Sequence, residues 1–368
     1  MLPLAPKDVG RLSNVFSSAF SAVGGHAAND LRLPKVNHAV VVLIDGLGYE
    51  NLTQAKAYSR FLNSQNLESI RCEFPSTTAT SITGFATGVR AEKHGVIGYS
   101  VFDRNTSTAI NLLTGWESSL EAKRFKKINS ISDDSSEPAV RVIAPKSYQD
   151  SGFTALTMAG AQYLAADSVS ERFAKLTSFP SSKTLTYLYV PELDQLAHRF
   201  GVSSTNWLEA LEDVDMELSR LSERLQPGVG IVVTADHGIV DVPRANQVML
   251  EKFDWYVNAV AHTSGDPRCN YLYLKNQTDL SQVQAKAQSE FGGEAYVCSV
   301  SELAESGWAN WEVAVESGYA PDLIVIWRNN AVGYDQRTAK PHHLKMVGQH
   351  GGLSDIETRV PLIKFGAF

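Results

Sequence analysis

Apolar residues gather into short, β-branched runs separated by stretches of helical spacing, which is the pattern of an α/β protein. Residues 38–44 (HAVVVLI) are nearly all apolar, as a strand covered on both faces of a parallel sheet must be. Residues 184–190 (TLTYLYV) and 230–235 (GIVVTA) repeat that pattern. Weaker strands are predicted over 68–73, 140–144 and 154–157, and helices over 8–24, 51–64 and 168–176. The strongest amphipathic helix is 205–224, with Leu208, Leu211, Val214, Leu218 and Leu221 on one face. Residues 96–115 read as extended chain, and the serine-rich, charged 117–137 as surface loop and short helix. Beyond residue 240, a strand over 269–274, a helix over 279–291 and a strand over 294–300 predict a small α/β insertion, with 322–327 returning to the main sheet. The expected organisation is a mostly parallel central sheet flanked by helices, built from 1–240 and 320–368, and a cap insertion over 241–319.

Polar residues with chemical potential stand where the apolar runs stop. Asp45 follows the first run, Asp194 and His198 follow the second, and Asp236 and His237 follow the third. Open α/β sheets hold their ligands at the C-terminal ends of the strands. Four residues apart on a helical turn, Asp194 and His198 share a face and can converge on one ion. Asp236 and His237 offer an oxygen and a nitrogen from one turn. His350, set among Gly348, Gly351 and Gly352, is a better ligand candidate than the doublet His342-His343, which lies in a polar loop and is expected to face solvent.

The stretch 74–88 (FPSTTATSITGFATG) packs hydroxyls and glycines densely. Its proline and serine break the chain before a run that can wind into a helix. One of the two threonines then falls near a helix N-terminus, where free N–H groups favour an anion such as phosphate, and Thr78 is the candidate nucleophile. Each of these features has an ordinary counterpart: a cap, a turn or a surface ion pair. Five of them at one sheet edge are harder to explain that way.

A formal net charge of −7 and a pI near 5.7 leave no basic footprint for nucleic-acid backbones. Cys72, Cys269 and Cys298 are odd in number and widely spaced, so neither a disulfide framework nor a zinc-thiolate site is expected. No apolar run approaches the roughly 18 residues of a membrane span, and the first residues lack a leader's apolar core. The expectation is a soluble cytoplasmic protein with no membrane partner.

The set as a whole resembles the alkaline phosphatase superfamily, in its type I phosphodiesterase/nucleotide pyrophosphatase branch. The matching pieces are Asp45-Gly46, Thr78 before Thr87-Gly88, Glu92-x-His94-Gly95, Asp194-x-x-Ala197-His198-x-x-Gly201, Asp236-His237-Gly238 and His350-Gly351. The resemblance implies two divalent metal ions, typically zinc with manganese as the alternative. One would be held by Asp194, His198 and His350, the other by Asp45, Asp236 and His237 with the Thr78 hydroxyl. Counted back from Thr87-Gly88, the nucleophile position falls on Thr78 rather than Thr77 or Thr80. It further implies hydrolysis of a small phosphate ester or nucleotide through a phospho-threonine. Many relatives carry an asparagine for a phosphoryl oxygen where this chain has Tyr99, so Tyr99 becomes a candidate substrate contact. Arg268, in the insertion, reads as an ordinary surface arginine. The alternatives are a phosphomonoesterase, a phosphomutase or phosphonate hydrolase of the same superfamily, and a non-catalytic binding protein that kept the fold.

Overall fold

A computed structural model describes residues 2–7, 9–114, 125–133, 138–177 and 179–368. The predicted loop and short helix of 117–137 lie largely outside the described residues. At the centre is a seven-stranded sheet, in the spatial order Leu67–Arg71, Arg359–Gly366, Val229–Thr234, His38–Ile44, Thr184–Val190, Ala139–Ala144 and Gln162–Ala165. All strands run parallel except Arg359–Gly366, which is antiparallel to both its neighbours. The apolar run of residues 38–44 occupies the middle, and Ala39 through Ile44 have no exposed surface. Both faces are covered, which is why the run shows no polar alternation.

The register of the three central strands decides where the polar groups go. Ile44 pairs with Val190 and Leu43 with Thr234, so the three strands end within a residue of one another. Asp45, the start of the helix Glu192–Phe200, and Ala235-Asp236-His237 therefore leave the sheet at one edge. The long helix Thr205–Glu223, capped by Ser204, buries Leu211, Val214, Leu218 and Leu221 as its spacing predicts.

Three elements differ from expectation. Residues 154–157 are not a strand but belong to the helix Gly152–Thr157, whose N-cap Ser151 accepts a hydrogen bond from the Thr154 N–H. That cap outweighs the β preference of two threonines. The 51–64 helix is two short helices, Tyr49–Gln54 and Arg60–Ser64. Residues 322–327 do not return to the central sheet. The strand Leu323–Trp327 joins a separate antiparallel sheet ordered Val260–Asp266, Cys269–Leu274, Leu323–Trp327 and Ala295–Cys298. An apolar run reports that a strand is buried, but not which neighbour it pairs with. Here both faces of the second sheet are buried. Leu272, Leu323, Val325 and Trp327 pack with Val283, Ala287 and Phe291 of the helix Leu280–Phe291, while Tyr271, Tyr273, Ile324 and Ile326 join the main core.

Candidate active site

The structure brings all seven nucleophile and ligand candidates to the edge where the central strands end. Asp45, Asp236 and His237 form one group and Asp194, His198 and His350 another, with the potential ligand atoms of each group within 4.8 Å of one another. The rings of His237 and His350 stack at 3.7 Å between centroids and join the two groups. Thr78 Oγ1 lies 3.1 Å from His237 Nε2.

Local structure accounts for each position. Gly46, at φ +75°, turns the chain out of the sheet directly after Asp45, and its N–H donates to Asp236 Oδ1 at 3.2 Å. Asp194 and His198 stand one turn apart on the helix Glu192–Phe200, with His198 Nε2 at 3.3 Å from Asp194 Oδ2. Thr77, in extended conformation, is the N-cap of the helix Thr78–Thr87, and Thr78 is its first residue. The cap and the candidate nucleophile are thus neighbouring residues. Ser76 ties this loop to the loop of His350: its Oγ donates to the Gly352 carbonyl at 2.9 Å and accepts from the Gly351 N–H at 3.1 Å.

The three imidazoles are oriented alike. His198 Nδ1 faces the Gly348 carbonyl at 2.8 Å, His350 Nδ1 the Ser76 carbonyl at 2.9 Å and His237 Nδ1 the Gly238 carbonyl at 3.3 Å. A carbonyl only accepts, so each Nδ1 carries the proton and each Nε2 presents a lone pair to the site, the arrangement in which histidines bind metals.

The carboxylates fit a cation as well. Asp45 Oδ1, Asp194 Oδ1 and Asp236 Oδ2 are buried and meet no hydrogen-bond donor. Burial, followed by the charges of Asp236 and Asp194, pushes the Asp45 carboxyl well up. Burial and then Asp194 push Asp236 up to about 7. Burial pulls His237 down to about 4 and lowers His350 as well. Burial also opposes ionisation of Asp194, but the neighbouring His198, His350 and His237 outweigh it and hold that carboxyl below its usual range. A buried acidic cluster with orphaned oxygens is costly by itself and is relieved by cations. Mixed oxygen and nitrogen donors suit zinc or a similar divalent ion.

A cavity of about 490 Å³ opens in front of these residues, lined by Thr78, Asp194, His198 and His350 together with Tyr99, Asp266 and Tyr334. Tyr99 therefore shares the cavity with Thr78, as expected of a substrate contact, and burial raises its phenol pKa. His342 and His343 line the outer part; His342 is exposed and His343 half-buried, and neither joins a ligand group among the described residues. Arg268 departs from its surface reading. It has no exposed surface and pairs through two nitrogens with Glu357, at 2.9 and 2.7 Å.

Three contributors carry no motif that sequence reasoning could use: Tyr189, whose hydroxyl donates to Asp45 Oδ2; Asp266, which accepts from the Tyr99 N–H; and Glu357, which pairs with Arg268. Ser76 reads in the sequence only as a chain break, not as the tie to the His350 loop. Tyr189 had one available signal: it stands in a strand that ends beside the site.

A mostly parallel α/β sheet bearing two facing Asp/His ligand groups, with a hydroxyl against one of them, defines a metallohydrolase-like scaffold of the alkaline phosphatase kind. The chain belongs to the Type I phosphodiesterase / nucleotide pyrophosphatase family, whose signature matches residues 39–353. It is 22% identical over 209 residues to the bis(5'-adenosyl)-triphosphatase ENPP4 of Bos taurus, a match covering 50% of this chain and 43% of that protein. The chain thus spans under half the length of that curated relative. Among solved structures it is similar to murine ectonucleotide pyrophosphatase / phosphodiesterase 5, with a TM-score of 0.68 at 17% identity over 88% of this chain and 87% of that one. An inactive variant of that mouse protein in complex with AMP matches with a TM-score of 0.69 at 17% identity, over the same shares of the two chains. These structures share its fold.

Proposed function

We propose that the protein is a metal-dependent phosphodiesterase or nucleotide pyrophosphatase that works through a phospho-threonine on Thr78. The observation that carries this reading is the Thr78 hydroxyl 3.1 Å from His237 Nε2, a member of one of two Asp/His groups in which Asp45, Asp194 and Asp236 each hold one buried oxygen without a hydrogen-bond partner. Asp45, Asp236 and His237 would hold one divalent ion beside Thr78, and Asp194, His198 and His350 a second. Such ions lower the pKa of a coordinated hydroxyl and stabilise charge on phosphoryl oxygens.

The chain's own residues do the rest. Thr78 Oγ1 bonds to phosphorus as its hydroxyl proton passes to solvent water, the bond from phosphorus to the ester oxygen opposite breaks, and that oxygen leaves as the phosphate product or, taking a proton from water, as the alcohol. Water then cleaves the phospho-threonine from the side the leaving group vacated, so two inversions give net retention of configuration. The N–H groups at the start of the helix Thr78–Thr87 favour the transferred anion. Nδ1–H bonds to backbone carbonyls keep the three imidazoles from turning, and Tyr99, which lines the same cavity as Thr78, is the candidate to meet a phosphoryl oxygen.

Dialysis against chelator is expected to abolish hydrolysis of bis-p-nitrophenyl phosphate, and added zinc to restore it. Full turnover by metal-free protein would overturn the proposal. Faster hydrolysis of p-nitrophenyl phosphate than of the diester would shift the assignment to a phosphomonoesterase.

A further inference from the structure

The second sheet delivers into the cavity a carboxylate, Asp266, that the proposed chemistry does not use. Val260–Asp266 and Cys269–Leu274 form a hairpin whose tip is Pro267-Arg268, with Asp266 paired opposite Cys269. The tip is anchored: Arg268 is bound to Glu357, its Nη1 donates to the Ala331 carbonyl at 2.6 Å, and the Gly333 N–H donates to the Pro267 carbonyl at 2.9 Å. This anchoring sets Asp266 against the His350 loop. Gly351 has φ +120°, and a Cβ there would stand 3.2 Å from the Asp266 Cβ, so the loop and the hairpin tip approach as closely as a glycine allows.

Asp266 is 93% buried yet lines the cavity. The Tyr99 N–H donates to its Oδ2 at 3.2 Å, and among the described residues Oδ1 meets no donor. Two other polar groups on this wall are already engaged. Asp335 accepts from Arg337 and Tyr256, and Asn270 donates to the Asp266 and Gly333 carbonyls while accepting from Trp327. No lysine or arginine is among the described lining residues. The wall therefore offers Asp266 Oδ1 as a buried carboxylate acceptor without a donor, and no described lysine or arginine to meet an anion.

We propose that Asp266 is a specificity residue of the active-site cavity, accepting a hydrogen bond from a hydroxyl or ammonium group on the alcohol arm that stays esterified to phosphorus, and disfavouring an anionic arm. The inference rests on the phosphodiesterase reading above. A buried carboxylate gains most from a donor that the protein itself does not supply, and a hydrogen bond to a charged group in such a site is worth about tenfold or more in discrimination. A carboxylate or phosphate on the same arm would bring like charges together away from water.

The test uses metal-loaded full-length protein at pH 8 and four p-nitrophenyl phosphodiesters that share one leaving group. Their second arms are glyceryl, aminoethyl, propyl and carboxyethyl. Wild type is expected to show kcat/KM about tenfold higher for the glyceryl or the aminoethyl ester than for the propyl ester, and lowest for the carboxyethyl ester. The better of the first two identifies the donor as hydroxyl or ammonium. Asp266→Asn should bring all four to within about threefold of one another, mainly through KM. Equal wild-type rates on the propyl and the two donor-bearing esters would overturn the inference without recourse to a variant, as would an Asp266→Asn protein that keeps the full preference. Metal-dependent hydrolysis of the propyl ester in either case leaves the phosphodiesterase reading intact. Failure to hydrolyse all four esters would overturn both.

Discussion

At the scale of single residues the site rests on a few donor and acceptor relations. Thr78 and Thr77 are adjacent, but only Thr78 reaches His237, while Thr77 Oγ1 donates to Thr80 at 3.2 Å. Thr78→Ala is accordingly expected to lower kcat by more than about 10³-fold while leaving metal content near that of wild type. Thr77→Ala should remain active; steady-state kinetics with metal analysis would separate the two, and a dead Thr77→Ala beside an active Thr78→Ala would refute the assignment. Tyr189 acts one step back, by donating to Asp45. Tyr189→Phe should weaken metal binding about 10- to 100-fold without changing the fold, measured by competition with a chromogenic chelator. Thr78 was legible in the sequence because a short motif surrounds it. Tyr189 was not, because its role depends on the pairing of Ile44 with Val190, which sets its strand beside the one that ends in Asp45.

At the scale of elements, the strand ends deliver the ligands and the loops lock them. The parallel strands His38–Ile44, Thr184–Val190 and Val229–Thr234 were readable as apolar runs, and each carries an acid at or just past its end. Three strands of the second sheet were readable but not their sheet: Leu323–Trp327 reads as returning to the central sheet, while Val260–Asp266 and Arg359–Gly366, which borders the central sheet's edge strand, gave no distinct signal. Arg268 shows the same limit more sharply. A lone arginine in a polar turn is usually exposed, and only the fold reveals that it closes on Glu357, which also accepts from the Gly352 N–H at 2.8 Å and Ser354 Oγ at 2.6 Å. This network links the hairpin tip to the loop that carries His350. Removing one partner leaves a buried charge, so Glu357→Gln or Arg268→Ala should cost about 3–5 kcal/mol in denaturant unfolding. An effect below about 1 kcal/mol would show that the pair is dispensable.

At the scale of the whole molecule, the acidic site opposes folding unless cations occupy it. Burial raises Asp45 well above its ordinary value and brings Asp236 to about 7. For groups whose folded pKa is raised, the associated stability is fully present below the unfolded value near 3.8 and is lost as pH rises through the folded one. Metal-free protein should therefore lose melting temperature between about pH 5 and pH 8 relative to metal-loaded protein, in which cations take the place of those protons. Thermal melts with and without chelator across that range test this, and a constant gap would contradict it. By itself the sequence determined the α/β class, the central apolar strands and the polar residues Asp45, Asp194, His198, Asp236 and His237 that follow them, because burial and strand-end position leave a pattern along the chain; Thr78 and His350 were singled out by short motifs in loops. Which strands share a sheet, which nitrogen of each histidine faces the site, and how the buried Arg268–Glu357 pair anchors the hairpin tip that brings Asp266 to the cavity were decided only by tertiary structure. Those relations join residues up to hundreds of positions apart, and no local preference encodes them.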